Sequence, residues 1–311
     1  MVIFAKVSAR KQFYQSKMIS FFSKCINYFL FYLLLLFSLL PIQVLYVFSK
    51  IMYLLLYYVF NYRKKVVEKN LEGSLPDTVN LHQVSKQFFM FLSDMFFETI
   101  KCLTIGKKNL LNRISCDNPE IMENYAKDQR SVIFMSAHYG NWEILIYALN
   151  LLFPHLAVGV GKPLSNQVLN VLINNKRSKT GMKIINADNI KEEFAKDKDR
   201  LTASLFLADQ YPGGAKKGFP RTFLNKETYF MYGAEKYAKE YDFPVVYADM
   251  ERVGKGRYKI HLIRIADHPK DTEYGFVMNS YIECLEKTIL RAPQYWLWSH
   301  KRWKNLEGFY K

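Results

Sequence analysis

Two residues able to do acid–base chemistry, His138 and Glu143, lie five positions apart in the sequence. Residues 131–137 before them are short and apolar, as in a buried strand, and residues 142–153 are typical of a helix. On one continuous α-helix, residues five apart would point about 140° apart around the axis, so these side chains could not share a face. A turn between the strand and the helix would remove that obstacle.

The link between His138 and Glu143 contains the residue types that such a turn needs. Gly140 can adopt backbone angles that other residues resist, and Asn141 is a good N-cap. Glu143 would then lie in the first helical turn, directed back towards His138. There its carboxylate could hold one imidazole nitrogen and leave the other free as a base. A histidine near the end of a strand is more often a satisfied polar group, so the spacing alone does not establish a site.

The composition indicates a folded chain that works next to an anionic surface or ligand. Its 311 residues are 50% hydrophobic, which allows one large domain with a sizeable core plus an additional segment. The 44 Lys and Arg against 28 Asp and Glu give a formal charge of +16, which fits an anionic membrane, a phosphorylated substrate, an acidic carrier protein or nucleic acid. The four cysteines are scattered without the pairing of a metal site, which favours reduced, structural thiols in a domain facing the cytosol.

A long apolar stretch near the N-terminus predicts a membrane anchor. Residues 25–49 carry no charge, and after Lys50 a second apolar run covers residues 51–60. The first run exceeds the roughly 20 residues that a helix needs to span a bilayer, and it lacks the cleavage site of a secretory signal. Pro41 could bend it into a hairpin or a tilted, partly re-entrant helix, and a single span is the alternative. Basic residues flank both sides, so charge does not fix the orientation.

These features predict four segments. They are a basic N-terminal segment (residues 1–24), a membrane anchor (25–60), a basic amphipathic connector suited to anionic headgroups (61–80) and a catalytic domain (81–311).

Within the catalytic domain, a helix is predicted over residues 81–105, and from residue 131 onward strands and helices alternate. The predicted strands are 131–137, 156–160, 182–185, 201–208 and 244–250, and the predicted helices are 142–153, 165–179, 189–196, 228–241 and 274–291. A hairpin at residues 253–256 leads into a further strand. The sequence therefore predicts an α/β fold with a mixed sheet flanked by helices.

Three polar sites follow predicted strands. His138, Lys162 beside Gly161, and Asp209 would gather at the carboxyl edge of the sheet, where open α/β sheets place active groups. Arg177, near the end of the helix that follows Lys162, could clamp a phosphate or carboxylate, although a surface salt bridge is the commoner fate of such an arginine. Asp209 could equally cap a helix or brace a loop.

Six motifs follow one another along the chain. They are the apolar N-terminal anchor, KNLEGSLPD at residues 69–77, HYGNWE at 138–143, GKP at 161–163 with Arg177 fourteen residues after Pro163, LADQ at 207–210, and PQYWLWSHKRWK at 293–304. In this order they resemble the late acyltransferases of bacterial lipid A biosynthesis, which are related to the glycerophosphate acyltransferases. The resemblance runs from about Met18 to Lys304. Glutamate rather than aspartate at position 143 favours the lipid A branch, whereas the strand end LADQY leaves the acceptor open.

The resemblance implies a transferase that moves a fatty acyl group from an acyl carrier protein thioester to a hydroxyl of a lipid A precursor. It implies an inner-membrane enzyme whose glycerophosphate acyltransferase-like domain faces the cytoplasm, with neither a metal nor a cofactor. His138 would be the general base, and Glu143 would orient it and stabilise its imidazolium. Arg177 would bind an anionic group of the acceptor or the tetrahedral oxyanion, and Asp209 would hold Arg177 or the substrate. Lys162 joins these two as an expected substrate-binding residue.

Other basic and aromatic residues have weaker assignments. Candidates for contact with an acidic carrier protein or lipid phosphates are Lys216, Lys217 and Arg221 in a glycine-containing loop, and Lys301, Arg302 and Lys304 in the tail. The tail tryptophans suit either an interface or packing under the sheet, and they are Trp296, Trp298 and Trp303.

Two alternatives stay open. One is an acyltransferase with another lipid acceptor, such as an aminolipid or a glycolipid, because the same base can deprotonate a hydroxyl or an amine. The other is a non-enzymatic, membrane-tethered basic protein that binds nucleic acid or a protein partner. That second alternative leaves HYGNWE unexplained, so nucleic acid is not an expected partner.

Overall fold

A computed structural model describes residues 23–163, 166–197, 199–213 and 218–310. The predicted N-terminal segment, residues 1–24, therefore lies almost entirely outside the described residues, as do Lys216 and Lys217. The helices are α1 (Ser23–Leu39), α2 (Ile42–Leu54), α3 (Lys64–Leu71), α4 (Leu81–Cys102), α5 (Lys107–Leu111), α6 (Glu120–Lys127), α7 (Trp142–Leu152), α8 (Gln167–Arg177), α9 (Ile190–Lys196), α10 (Gly233–Tyr241) and α11 (Phe276–Arg291). The strands are β1 (Ile114–Cys116), β2 (Val132–Ser136), β3 (Leu156–Gly161), β4 (Lys183–Asn186), β5 (Thr202–Leu207), β6 (Gly218–Phe223), β7 (Lys226–Met231), β8 (Val245–Gly254) and β9 (Arg257–Ala266).

A seven-stranded sheet with the order β1-β9-β8-β2-β5-β3-β4 organises the domain. β8 and β9 pair antiparallel through the predicted hairpin, and the other neighbouring strands of this sheet pair in parallel. Parallel neighbours need long crossover connections, which the helices between the strands supply. The predicted α/β fold with a mixed sheet flanked by helices is confirmed.

The central strand β2 is buried along its whole length, Val132–Ser136. Continuous burial is typical of a strand in a sheet that is covered on both faces. The carboxyl ends of β2 and of its neighbour β5 lie at the same edge of the sheet, because the two strands are parallel. That edge carries the candidate site.

The helix predicted over residues 228–241 is wrong in its first five residues, because α10 begins only at Gly233. Lys226–Met231 forms β7, which pairs antiparallel with β6 in a separate two-stranded sheet. Burial alternates along β7, with Thr228 and Phe230 inside, which is the pattern of a strand. The turn residues Leu224 and Asn225 both have positive φ, as in a type I′ hairpin turn. Leucine resists such angles, so no residue pattern at this position predicts the turn.

The apolar N-terminal stretch forms two helices rather than one. α1 ends at Leu39 and α2 begins at Ile42, on either side of Pro41, which has no N–H to continue a helix. α2 continues into a π-helical turn at Leu55–Val59. Ile42–Val59 is the one described helix long and apolar enough to cross a membrane, and only 17% of its 18 residues are buried. The long apolar helix therefore starts after the proline and is not the predicted run of residues 25–49.

Helix α4 is the surface on which both N-terminal helices pack. Leu45 of α2 is buried against Phe97 and Ile100 of α4, and Leu34 and Phe37 of α1 contact the same cluster. The outer face of the two helices is apolar and solvent-exposed. Side chains exposed by more than half are Ile26, Phe29, Tyr32, Leu36, Leu39, Val47, Leu54, Tyr58, Val59 and Phe60. An apolar face of this size is typical of a surface that contacts lipid or another protein.

The connector predicted over residues 61–80 contains α3, which packs into the domain. Val67, Asn70 and Leu71 are buried, whereas Lys65 and Lys69 are exposed. That the exposed lysines lie along anionic headgroups stays a prediction.

Candidate active site

His138 and Asp209 meet because the strands that precede them are neighbours in the sheet. β2 and β5 run parallel with Ser136 opposite Leu207, so the residues two positions further along each chain lie side by side. His138 Nδ1 is 2.7 Å from Asp209 Oδ1, and the Asp209 side chain is 2% exposed. The carboxylate that holds His138 is therefore Asp209, and the prediction that Glu143 holds it is wrong.

Asp209 is kept anionic by the groups around it. Trp296 donates its Nε1–H to Asp209 Oδ2 at 2.9 Å. Burial raises the pKa of Asp209, but the charge of His138 and the hydrogen bonds from His138 and Trp296 outweigh burial and leave the pKa below its ordinary value. An ionised carboxylate only accepts hydrogen bonds, so Nδ1 of His138 carries the proton. In the neutral imidazole, Nε2 then carries the lone pair that a general base requires.

The base nitrogen of His138 is within reach of an approaching hydroxyl. The His138 side chain is 18% exposed, and Trp142 packs edge-on against its ring with 5.0 Å between the ring centroids. The side-chain nitrogen of Gln210 lies 3.2 Å from His138 Nε2. Because a substrate hydroxyl would donate to the same lone pair, it would replace the amide of Gln210 there.

Glu143 pairs with Arg177 rather than with His138. Nη2 and Nε of Arg177 donate to the two carboxylate oxygens of Glu143 at 2.6 and 3.2 Å, and both side chains are mostly buried. Asn141 caps α7 as predicted, by accepting a hydrogen bond from the Ile144 N–H, and this fixes Glu143 in the first turn. Asp209 was predicted to hold either Arg177 or the substrate, and the first option is wrong, because Asp209 and Arg177 have different partners.

Some N–H groups of Arg177, and all those of the Lys162 side chain, make no hydrogen bond with the residues that the structure describes. Arg177 also donates to Asn174 Oδ1 at 3.2 Å, so two of its five N–H groups have no partner among the residues that the structure describes. Lys162, just after β3, is exposed and has no hydrogen bond or ion pair with the other residues that the structure describes. β5 separates β3 from β2, so Lys162 lies about two strand spacings, roughly 10 Å, from the His138 strand.

The C-terminal tail fixes the backbone of the His138 loop. The N–H of Gly140 donates to the Tyr295 carbonyl at 2.9 Å, and the N–H of Leu297 donates to the His138 carbonyl at 3.0 Å. Gly140 has a φ of +60°, and a Cβ there would lie 2.6 Å from the sulfur of Met250. Only glycine fits this turn, as the sequence predicted.

The tail tryptophans are packed inside the protein rather than presented at an interface. Trp296, Trp298 and Trp303 are each no more than 2% exposed, and Trp296 in addition binds Asp209. Two motifs that are distant in sequence, LADQ and the tryptophan-rich tail, therefore meet on one carboxylate. Sequence analysis missed this role of the tail.

Arg302 is buried as well, so the prediction that it meets a carrier protein or lipid phosphates is wrong. Its Nη1 donates to Thr228 Oγ1 at 2.7 Å, and its guanidinium carbon lies 4.1 Å from the centroid of the Phe230 ring. Burial lowers the pKa of Arg302 to about 10. Lys301 and Lys304 are exposed and keep the predicted role open.

Asn70 of α3 holds the tail in place. Its Nδ2 donates to the carbonyls of Trp298 and His300 at 2.6 and 2.8 Å, and its Oδ1 accepts from the Tyr310 hydroxyl at 2.6 Å. Asn70 is fully buried. The asparagine of the KNL motif thus supports the segment that in turn holds His138.

We expect Asn70→Ala to destabilise the protein by about 2–4 kcal/mol, because two buried carbonyls lose their donor and each costs about 1–3 kcal/mol. Thermal unfolding of the purified protein measures this. Asn124→Ala, an exposed asparagine on α6, is the control and should change stability little. Equal stability of the two variants would contradict the role given to Asn70.

A buried glutamate that sequence analysis missed supports the start of α7. Glu98 of α4 has a side chain 1% exposed and accepts hydrogen bonds from Asn141 Nδ2 at 2.9 Å and from the Tyr258 hydroxyl at 2.6 Å. Tyr46 of α2 donates to its other oxygen at 3.0 Å. The available signal was a pair of acids, Asp94 and Glu98, one helical turn apart on a largely apolar helix face.

A known protein family matches both the site residues and the segments that hold them in place. The family described as bacterial lipid A biosynthesis acyltransferase matches residues 14–305, a range that includes both N-terminal helices, the His138 strand and most of the tail. A search of curated proteins gave no match. The chain belongs to the bacterial lipid A biosynthesis acyltransferase family.

Proposed function

We propose that the protein transfers a fatty acyl chain from an acyl carrier protein thioester to a hydroxyl of a lipid A precursor, with His138 as the general base. The observation that carries this proposal is the hydrogen bond between His138 Nδ1 and the buried carboxylate of Asp209. It leaves Nε2 unprotonated at the carboxyl edge of the sheet. Membership of an acyltransferase family supports the reaction type.

The reaction proceeds in two proton-coupled steps at His138. The acceptor hydroxyl displaces the Gln210 amide and gives its proton to Nε2 as its oxygen attacks the thioester carbonyl carbon. The tetrahedral intermediate then collapses, the carbon–sulfur bond breaks, and the imidazolium returns the proton to the departing sulfur. Asp209 stabilises the imidazolium between these steps, as the acid of a serine hydrolase triad does.

Glu143 and Arg177 act as a second pair in this proposal. Glu143 fixes the guanidinium of Arg177, and the two N–H groups of Arg177 that have no partner among the described residues bind the oxyanion of the intermediate or an anionic group of the acceptor. Lys162, exposed about two strands away, adds positive charge for a phosphorylated substrate. Glu143 therefore serves catalysis through Arg177, not through His138.

The N-terminal helices place the domain at the membrane in this proposal. One face of α2 packs on α4, and its outer face exposes Val47 and Leu54, as in a helix that lies in the membrane interface beside its domain. α1, which precedes α2 on the other side of Pro41, also has an exposed apolar face. We place the enzyme at the inner membrane with the catalytic domain in the cytoplasm, where an acyl carrier protein can reach it.

The test is transfer from a panel of acyl carrier protein thioesters to a lipid A precursor in detergent micelles, followed by mass spectrometry. We expect the product to gain the mass of one acyl chain. If the wild-type protein transfers the acyl chain to an aminolipid or a glycolipid but not to the lipid A precursor, the proposed acceptor is wrong and the proposed chemistry stands. Absence of transfer to any of these acceptors would contradict the proposed function.

We expect Arg177→Lys to lower kcat/KM by about 10- to 100-fold, because a lysine cannot copy the two-pronged contact with Glu143 and still donate to substrate. Initial rates in the same micellar assay measure the change. Arg200→Lys is the matched control, because Arg200 is 64% exposed and contacts Asp197 only at 3.6 Å. Full activity of Arg177→Lys would contradict the role given to the guanidinium.

A further inference from the structure

A cavity of about 560 Å³ lies at the start of α2, outside the candidate active site. It is a cleft bordered by α2, the end of α4, α5 and the β8–β9 turn. Its walls are Ile42, Gln43, Tyr46, Lys101, Thr104, Ile105, Gly106, Asn109, Asn112, Arg113, Lys255 and Arg257. The volume is in the range of small-ligand sites.

The lining of this cavity is basic and contains no carboxylate. Four cationic side chains converge on it, from Lys101, Arg113, Lys255 and Arg257. Lys255 has a carboxylate partner, Asp94, at 3.0 Å. The other three, Lys101, Arg113 and Arg257, form no ion pair with any residue that the structure describes. Many basic side chains elsewhere in the protein are paired with carboxylates. Unpaired cations around one cavity repel each other and favour an anionic ligand.

Lys101 and Arg113 are less exposed than Lys255 and Arg257, and both also donate to backbone carbonyls. Lys101 Nζ is 2.9 Å from the carbonyls of Ser38 and Leu40, and Arg113 Nη1 is 3.3 Å from that of Gly256. Burial and the nearby Arg113 lower the pKa of Lys101. An anion bound in the cavity would offset the repulsion between these two cations.

The cavity opens beside the helix that is long and apolar enough to cross a membrane. Ile42, Gln43 and Tyr46 face the cavity, whereas Val47 and Leu54, on another side of the same helix, are more than half exposed. Because the inner face of α2 packs on α4, only its outer face can meet the bilayer, as in a helix that lies in the membrane interface. This placement brings the four cations at the start of α2 to the level of the lipid phosphates.

We propose that this cavity binds the phosphate of an anionic lipid headgroup. The cations supply the charge, the side chains of Thr104, Asn109 and Asn112 supply polar contacts, and the apolar face of α2 runs alongside the acyl chains of the bound lipid. Two lipids carry the required phosphate: a phospholipid of the bilayer and the lipid A precursor. The inference does not depend on acyl transfer, because its tests measure binding.

Native mass spectrometry of the full-length protein in neutral detergent tests the site. Short-chain phosphatidylglycerol is the anionic probe, and phosphatidylcholine of the same chain length is the zwitterionic one. We expect wild type to retain one phosphatidylglycerol in preference to phosphatidylcholine. Arg257→Glu, a change at an exposed residue, should weaken retention by about 30-fold, since it removes one attractive charge and adds a repulsive one.

Lys270→Glu is the matched control for the change in charge. Lys270 is exposed and follows the far end of β9, about 30 Å along the strand from Arg257. The Lys270→Glu variant should retain phosphatidylglycerol as well as wild type does. Equal losses in the two variants would show that overall charge, not the cavity, binds the lipid and would overturn the proposal, as would unchanged retention by Arg257→Glu.

The same experiment identifies the source of the phosphate. Displacement of the bound phosphatidylglycerol by an equal concentration of lipid A precursor, weakened in Arg257→Glu, would support the site and assign it to the acceptor. Retention of phosphatidylglycerol against the precursor would support the site and assign it to the bilayer. Competition by inorganic phosphate alone, with no binding of either lipid, would overturn the proposal of a lipid site.

Discussion

His138→Ala should lower the rate of acyl transfer by about 10³-fold, because a positioned general base contributes about 10²–10⁴-fold to such a reaction. Removal of His138 leaves the buried carboxylate of Asp209 with Trp296 as its side-chain donor, so stability should fall and the rate is measured on samples that are still folded. Steady-state rates at saturating donor, with thermal unfolding of the same samples, measure both effects.

His261→Ala is the control for the loss of an imidazole. His261 lies on β9 with its side chain 56% exposed and has only a long contact, 3.8 Å, to Asp117. The His261→Ala variant should transfer acyl chains at the wild-type rate. Normal turnover by a folded His138→Ala protein would rule out the proposed mechanism, whatever the identity of the acceptor.

Asp209→Asn should reduce activity by about 10³- to 10⁴-fold and Glu143→Gln by only about 10- to 100-fold. An asparagine can present its N–H₂ to Nδ1 and so favour the tautomer that carries its proton on Nε2; the equivalent change in serine proteases costs about 10⁴-fold. A glutamine at position 143 still accepts one hydrogen bond from Arg177 and so preserves part of the pair. The two variants should be compared in one assay, by kcat.

The order of the two effects matters more than either magnitude. Glu283→Gln is the control for the loss of a carboxylate, because Glu283 is 58% exposed and contacts Arg221 only at 3.3 Å. It should be fully active. A larger loss in Glu143→Gln than in Asp209→Asn would indicate that Glu143, not Asp209, orients the base during turnover.

The local arrangement around His138 could be predicted from sequence because neighbouring residues determine it. Residues 131–153 contain an apolar run, a glycine and an N-cap asparagine in order, and the structure has β2, a turn with positive φ at Gly140, and α7 capped by Asn141. The convergence of His138 and Asp209 at one edge also followed from general rules for parallel strands.

The identity of the carboxylate beside His138 could not be predicted in the same way. It depends on which strand lies next to β2, and the strand order places β5, 71 residues further along, between β2 and β3. No local pattern encodes that order. Glu143 was the nearest acid in sequence, yet the capped start of α7 directs it to Arg177 at the end of α8.

Buried polar residues were missed for a related reason. Asn70 and Glu98 look like ordinary polar positions on amphipathic helices, and only the tail and the α7 cap that they contact reveal their roles. The hairpin of β6 and β7 was missed because its turn places Leu224 at a positive φ that leucine rarely adopts.

The contacts of α2 mean that the N-terminal helices are not a detachable anchor. Tyr46 and Ser49 donate their hydroxyls to Glu98 and Asp94, and Glu98 in turn holds Asn141 at the start of α7. A shortened, water-soluble enzyme that begins after Phe60 would leave two buried carboxylates without these donors. Inhibitor screens or crystallisation trials that use such a shortened chain would therefore examine a distorted His138 loop, and the full chain in detergent or a bilayer is the proper starting material.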